Sequence, residues 1–182
     1  EKAILTFGNG LLNHPDNVEL REAVDNATLN PRDYYQILLR LIYRILFLMV
    51  IEERDLVYPK QTEEKIRTIY NQYYSVQRLR KLSENRWLGN KRHHDLWIAL
   101  MNTFNLFETD GSGEKLGLYP LGGELFSSTA IDPISRCILD NATLLNCMRH
   151  LNQYQNKDTG QMTRVNYAAL NVEEFGSVYE GL

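Results

Sequence analysis

Two cysteines, five prolines and eleven glycines stand in 182 residues. Cys137 and Cys147 are too few for a disulfide framework and supply neither pair of a zinc site. They lie in an apolar-rich stretch, and two buried thiols in a reducing compartment are expected there. So little proline and glycine excludes a collagen-like or linker-dominated chain. A formal net charge of −3 excludes a generally basic nucleic-acid binder. No run of alternating apolar residues marks a strand, and no metalloprotease helix, paired CxxC or serine elbow is present.

What is there is a globular balance, 43% hydrophobic and 24% charged, which excludes wholesale disorder. The length fits one domain. Eleven tyrosines point to large half-polar packing surfaces.

The longest apolar stretch, Tyr34 to Ile51, is broken only by Gln36, Arg40 and Arg44. A membrane-spanning helix needs about 20 mostly apolar residues, and arginine near its middle is costly. Fourth-residue spacing puts the three polar groups in one stripe of a helix that is apolar elsewhere. The expectation is the central helix of an all-α domain, opened by Asn30-Pro31, a cap followed by proline at the first helical position, running to about Arg54 and closed by Tyr58-Pro59. Buried arginine requires a partner, so Arg40 and Arg44 are both expected to be paired inside the domain.

Around it the spacing predicts further helices. Asp16 caps a short one bearing Val18, Leu20 and Val24. Thr62 caps a long one whose stripe runs Ile66, Ile69, Tyr70, Tyr73, Val76, Leu79. Another runs from about His94 to Phe107, and one capped by Asp140 or Asn141 carries Leu144, Leu145, Met148 and Leu151. Asn152 to Gly160 reads as a polar loop. Asn171, with Glu174 three positions on, opens a terminal helix with Phe175, Val178 and Tyr179. Gly8-Asn9-Gly10 and Gly111-Ser112-Gly113 contain the GxG fragment of a nucleotide or methyl-donor loop, but neither follows a β-branched strand, so both read as turns. His93 and His94 point about 100° apart on a helix and do not converge on one metal.

Charge is distributed unevenly. Arg78, Arg80, Lys81, Arg86, Lys91 and Arg92 set six cations against one anion, Glu84, between Ser75 and His94. Such a patch on an acidic body can hold a phosphate backbone, and these six are the candidate DNA-phosphate contacts. The competing reading is a solvated helix end and loop, since cations suit a helix C-terminus in any case. No catalytic, cofactor-binding or metal residue emerges from the sequence.

Several segments together resemble a known family. They are 38–48 followed by Glu52-Glu53-Arg54-Asp55-Leu56, then Tyr74 to Arg80, His94-Asp95-Leu96-Trp97, Leu116 to Phe126 and Leu170 to Leu182. In that order they resemble the region preceding the catalytic domain in large bacterial adenine-specific DNA methyltransferases of the type IIG restriction–modification and BREX- and DISARM-like phage-defence group. Glu124 is an extra residue against the family pattern, and Phe175 stands where leucine is usual. The resemblance implies a non-catalytic helical scaffold, 1–182, that positions DNA and lies N-terminal to a methyltransferase domain outside this chain. It implies S-adenosylmethionine as cofactor of the parent protein and none in this piece. It further implies methylation of adenine N6 with or without cleavage, partners in DNA and the methyltransferase domain but no membrane, and a cytoplasmic setting. The alternative is a protein-interaction module that docks partners of a phage-defence complex. Both ends, Glu1 without methionine and Glu180-Gly181-Leu182 within a helix-like pattern, fit a piece of a larger protein.

Overall fold

A computed structural model describes residues 1–109, 111–156 and 159–170, with Arg86 described by its backbone only. The expected terminal helix from Asn171 lies outside the described residues. Among those described, the class is all-α as expected. The seven α-helices are α1 Lys2–Asn13, α2 Val18–Asp25, α3 Pro31–Glu53, α4 Glu64–Tyr73, α5 Val76–Glu84, α6 Asp95–Phe107 and α7 Asn141–Asn152.

Helix α3 forms the middle of the core. The Asn30 side chain accepts a hydrogen bond from the Asp33 N–H, and Pro31 occupies the first turn, the arrangement its sequence implied. Leu38, Leu41, Ile45, Leu48 and Met49 are buried. By length and composition the helix is apolar enough to cross a membrane, but a core helix has the same character. The helix ends at Glu53 with Arg54 as its cap, in line with the expected end at about Arg54, and the stop is made before Tyr58-Pro59. The Leu56 N–H donates to the Ile51 carbonyl at 2.8 Å and the Asp55 N–H to Glu52 at 3.3 Å, with Asp55 in the left-handed region at φ 53°. That is a Schellman ending with aspartate where glycine is usual, and it satisfies the last carbonyls before the proline is reached.

The two arginines of α3 part company. Arg44 is fully buried. It donates to the Leu125 carbonyl at 2.6 Å, to Ser127 and to Glu108 at 3.2 Å, and its guanidinium lies over Phe104 and Phe126. Arg40, one turn earlier, is exposed, which corrects the expectation that both are paired inside. The segment that supplies the Arg44 acceptors also places Phe126 against Phe47.

Helix α1 corrects a second expectation, because Gly8-Asn9-Gly10 lies inside it rather than in a turn. Ala3, Phe7 and Leu11 form its buried stripe. A Cβ on Gly8 would meet Leu38 at 3.0 Å, and one on Gly10 would meet Thr143 at 2.4 Å and Leu139 at 2.9 Å. The bare backbone therefore lets α1 lie close against α3 on one side and α7 on the other. The Tyr34 hydroxyl adds a hydrogen bond to the Gly8 carbonyl at 2.9 Å.

Asp16 does not cap α2. The cap position is Asn17, whose side chain is spent elsewhere. Its amide donates to the Leu11 and Ile138 carbonyls, both at 2.8 Å, and its oxygen accepts from the Ile138 N–H. Val18 faces solvent while Leu20 is buried. The long helix expected from Thr62 is two helices, α4 and α5, with Thr62 outside both. Ser75 caps the second by accepting from the Arg78 N–H. Two more first-turn donors, the N–H groups of Val76 and Gln77, are met by the Glu52 carboxylate, each at 2.8 Å. Helix α7 starts where read, with the Asp140 side chain accepting from the Thr143 N–H. The polar segment after it is not only a loop. β1 Gln153–Gln155 pairs antiparallel with β2 Met162–Arg164, Tyr154 opposite Thr163.

Aromatic rings join the helices edge to face. Tyr58 meets Tyr70, Tyr70 meets Phe107, Phe107 meets Phe126 and Phe126 meets Phe47, with centroids 5.7–6.3 Å apart, the spacing such pairs favour.

Candidate nucleic-acid interface

The six candidate cations divide. Arg80 leaves the patch, being fully buried. It pairs with Glu53 of α3, donates to the Asn152 side chain of α7 and to the Val165 carbonyl beyond β2, and lies over the Tyr167 ring at 5.1 Å. Every direction a phosphate could take to it is filled by protein. Arg78 is half-buried at a cleft that Glu52, Glu53 and Lys81 also line. Lys81, Lys91 and Arg92 are exposed. The side chain of Arg86 lies outside the described residues.

Lys91 and Arg92 belong to a segment, 85–94, that hydrogen bonds fix along its length. The Asn85 side chain accepts from the Trp87 N–H at 3.1 Å, making a short 3₁₀ turn, Arg86–Leu88. The Asn90 side chain accepts from the Arg92 N–H at 2.7 Å. Backbone carbonyls then tie the segment to the start of α7, since Asn141 N–H donates to His93 at 2.8 Å and Ala142 N–H to Asn90 at 3.3 Å. Asn141 completes the knot by accepting from the Leu96 N–H and donating to Asp95. These bonds use first-turn donors that α7 cannot satisfy itself.

At the other end, the Arg149 guanidinium of α7 donates to the Ser83 carbonyl at 3.0 Å, just before the segment begins. The segment thus runs beside α7 from its last turn back to its first. This adds one cation that sequence reading missed, Arg149, and not its neighbour His150. His150 is held below the usual histidine pKa by burial first, then by the nearby charges of Lys2 and Arg149. The sequence signal was weak because basic residues in a last turn read as partners of the helix dipole. Lys91 also borders a polar cleft of about 540 Å³ with Asn9, Asn13, His14, Asp140 and Thr143.

One side chain on the segment stands apart. Trp87 is 94% exposed. The other tryptophan, Trp97, is buried, with its indole N–H donating to the Cys137 carbonyl at 2.8 Å.

Other chemistry is structural. Glu52 accepts from the Tyr70 hydroxyl at 2.7 Å as well as from α5. Burial pushes its pKa up to about 7, against the pull of those three hydrogen bonds. Burial pushes Cys137 up to about 11 and Cys147 further, so neither is a ready thiolate. Among the described residues no three His, Cys, Asp or Glu side chains come together to hold a metal. Neither GxG fragment fits a methyl-donor loop. Gly8-Asn9-Gly10 is helical, and the Gly111 N–H donates back to the Glu108 carbonyl in a turn after α6. No family model, curated protein or solved structure matches the chain.

Proposed function

We propose that this chain is the helical, non-catalytic DNA-positioning region of a cytoplasmic, S-adenosylmethionine-dependent adenine-N6 DNA methyltransferase of the restriction–modification type. The cofactor and the reacting adenine would belong to a methyltransferase domain outside this chain. The observation that carries the reading is the pinned segment 85–94, which presents Lys91 and Arg92 in solvent, with Lys81 one helix turn before it. Cations on a fixed backbone can set the register of a duplex without reading its sequence.

The segments of the family resemblance also meet one another. Glu52 of the Glu52-Glu53-Arg54 stretch caps the helix of the Tyr74-Ser75-Val76 stretch. Glu53 pairs with Arg80, and Arg44 holds the carbonyl of Leu125. Their role in this reading is to build a rigid body, which accords with a scaffold.

The test is a fluorescence anisotropy titration with a labelled duplex at low and moderate salt. Binding without sequence preference is expected, at roughly 10⁻⁴–10⁻⁶ M. Replacing Lys81, Lys91 and Arg92 by alanine should reduce the slope of log affinity against log salt by about 2.7, at ~0.9 for each phosphate no longer neutralised. No binding at low salt, or an unchanged slope in the triple variant, refutes the reading. One observation favours a protein-docking module instead, since exposed tryptophan is a common anchor of protein interfaces. In that case the triple variant leaves function intact and Trp87→Ala abolishes it.

A further inference from the structure

We propose that Trp87 is a stacking platform for an unpaired nucleobase, with Lys91 and Arg92 holding the adjoining phosphates; the inference rests on the nucleic-acid reading above. Three observations lead to it. The indole is 94% exposed on a backbone fixed at Asn85, Asn90 and His93, so its exposure belongs to a set conformation rather than to a loose loop. A ring of this size left in water forgoes one of the largest burial gains any side chain offers. Its surroundings say what would cover it. Every described side chain from Trp87 to Asp95 is exposed, and among them only Leu88 is apolar beside the indole.

A protein anchor is normally ringed by contacts that exclude water. Here the chain that follows the indole, 89–94, is polar and cationic. A ligand that satisfies both halves carries dense negative charge and a flat π-face at spacings of one nucleotide, which is single-stranded or locally unstacked nucleic acid. Side chains that wedge into an intact duplex are typically Phe, Leu, Ile, Met or Pro, whereas a broad indole matches a whole base.

The protein supplies its own reporter. It has two tryptophans, and Trp97 is shielded in the core, so quenching by an added ligand reads Trp87. The probes are a short single-stranded oligothymidylate, a blunt duplex and heparin, a polyanion without bases. The single strand is expected to quench the emission, while heparin binds with a similar salt dependence and does not. Trp87→Ala should weaken the single strand by roughly 5- to 150-fold, the worth of one stacked base, and leave the salt slope unchanged, while Trp87→Phe keeps most of the affinity. Salt-dependent binding with no quenching and no weakening in Trp87→Ala overturns the stacking proposal and leaves the phosphate reading standing. No binding of any nucleic acid at low salt overturns both. A self-associating protein whose assembly, read by sedimentation, disappears in Trp87→Ala would overturn the proposal in favour of protein docking.

Discussion

Replacing Arg80 by alanine tests the architecture where most elements meet. The guanidinium joins α3 through Glu53, α7 through Asn152 and the chain beyond β2 through Val165, and it covers the face of Tyr167. In Arg80→Ala the Glu53 carboxylate keeps its hydrogen bond from the Ala168 N–H at 2.9 Å but is left without its counter-charge. Deleting one partner of a buried ion pair costs about 3–5 kcal/mol, because the other charge stays uncompensated. Against a total stability of about 5–15 kcal/mol, that is a large fraction. At about 2–4 °C per kcal/mol for a chain of this size, Tm should fall by roughly 6–20 °C. Thermal melts give the Tm and urea unfolding the free energy, both followed by far-ultraviolet circular dichroism. Arg80→Lys keeps the charge but not the planar fork that reaches three acceptors, and should lie between. In a double-mutant cycle with Glu53→Gln, the two destabilisations should be less than additive. A change within about 0.5 kcal/mol, the range of ordinary surface substitutions, would refute the burial argument. If DNA affinity fell at the same time with stability intact, Arg80 would rejoin the cationic patch.

Two further outcomes concern folding. Glu52 has a folded-state pKa of about 7, above the ~4.3 of an unfolded chain, so between those values the folded protein holds a proton that the unfolded chain releases. Stability should therefore be fully present at acid pH and fall by up to about 4 kcal/mol as pH rises from ~4.3 through ~7. Urea midpoints across that window should show the slope, and Glu52→Gln should flatten it; a wild-type profile already flat there contradicts the burial of the carboxyl. At Gly10, alanine gains about 1 kcal/mol of helix propensity but places its methyl 2.4 Å from Thr143, so net destabilisation of about 1–3 kcal/mol is expected. Thr143→Ser, which removes the methyl in the way, should restore part of it; a stabilised Gly10→Ala would mean that α1 packs less closely.

How much was legible depended on whether a local signal carried the information. Asn30-Pro31 and Asp140 announced α3 and α7 because capping is written in adjacent residues. The α4–α5 break was hidden because Tyr73, Val76 and Leu79 keep a helical step straight across it. The break rests on Glu52, more than twenty positions away. Glycine concealed α1, since its usual meaning is a turn and here it serves close packing. Arg40 and Arg44 look alike in sequence, and only the path of the segment through Leu125 and Ser127 distinguishes them. Within the basic cluster, Arg78, Arg80 and Lys81 are neighbours in sequence, but residues on a helix step by about 100°. That step turns Arg80 inward while Lys81 faces out. Trp87 lies among the cations without a periodic or capping signal to single it out, and its exposure required the fold.

The packing of α1 sets the order in which the protein can be completed. Its Gly10 face has no partner until Leu139 and Thr143 arrive, and Asn17 waits for Ile138 in the same way. A twelve-residue helix containing two internal glycines is too short and too flexible to persist alone in water. On a chain emerging from the ribosome at about 5–20 residues per second, α1 therefore lacks its α7 cover for several seconds while more than a hundred residues follow it. During that interval α1 is held only on its α3 side, which makes the nascent chain most dependent on chaperones before α7 appears. Closure is correspondingly cooperative: removing α7 by truncation leaves α1 and α5 without their cover, and a piece that ends before α7 should not fold.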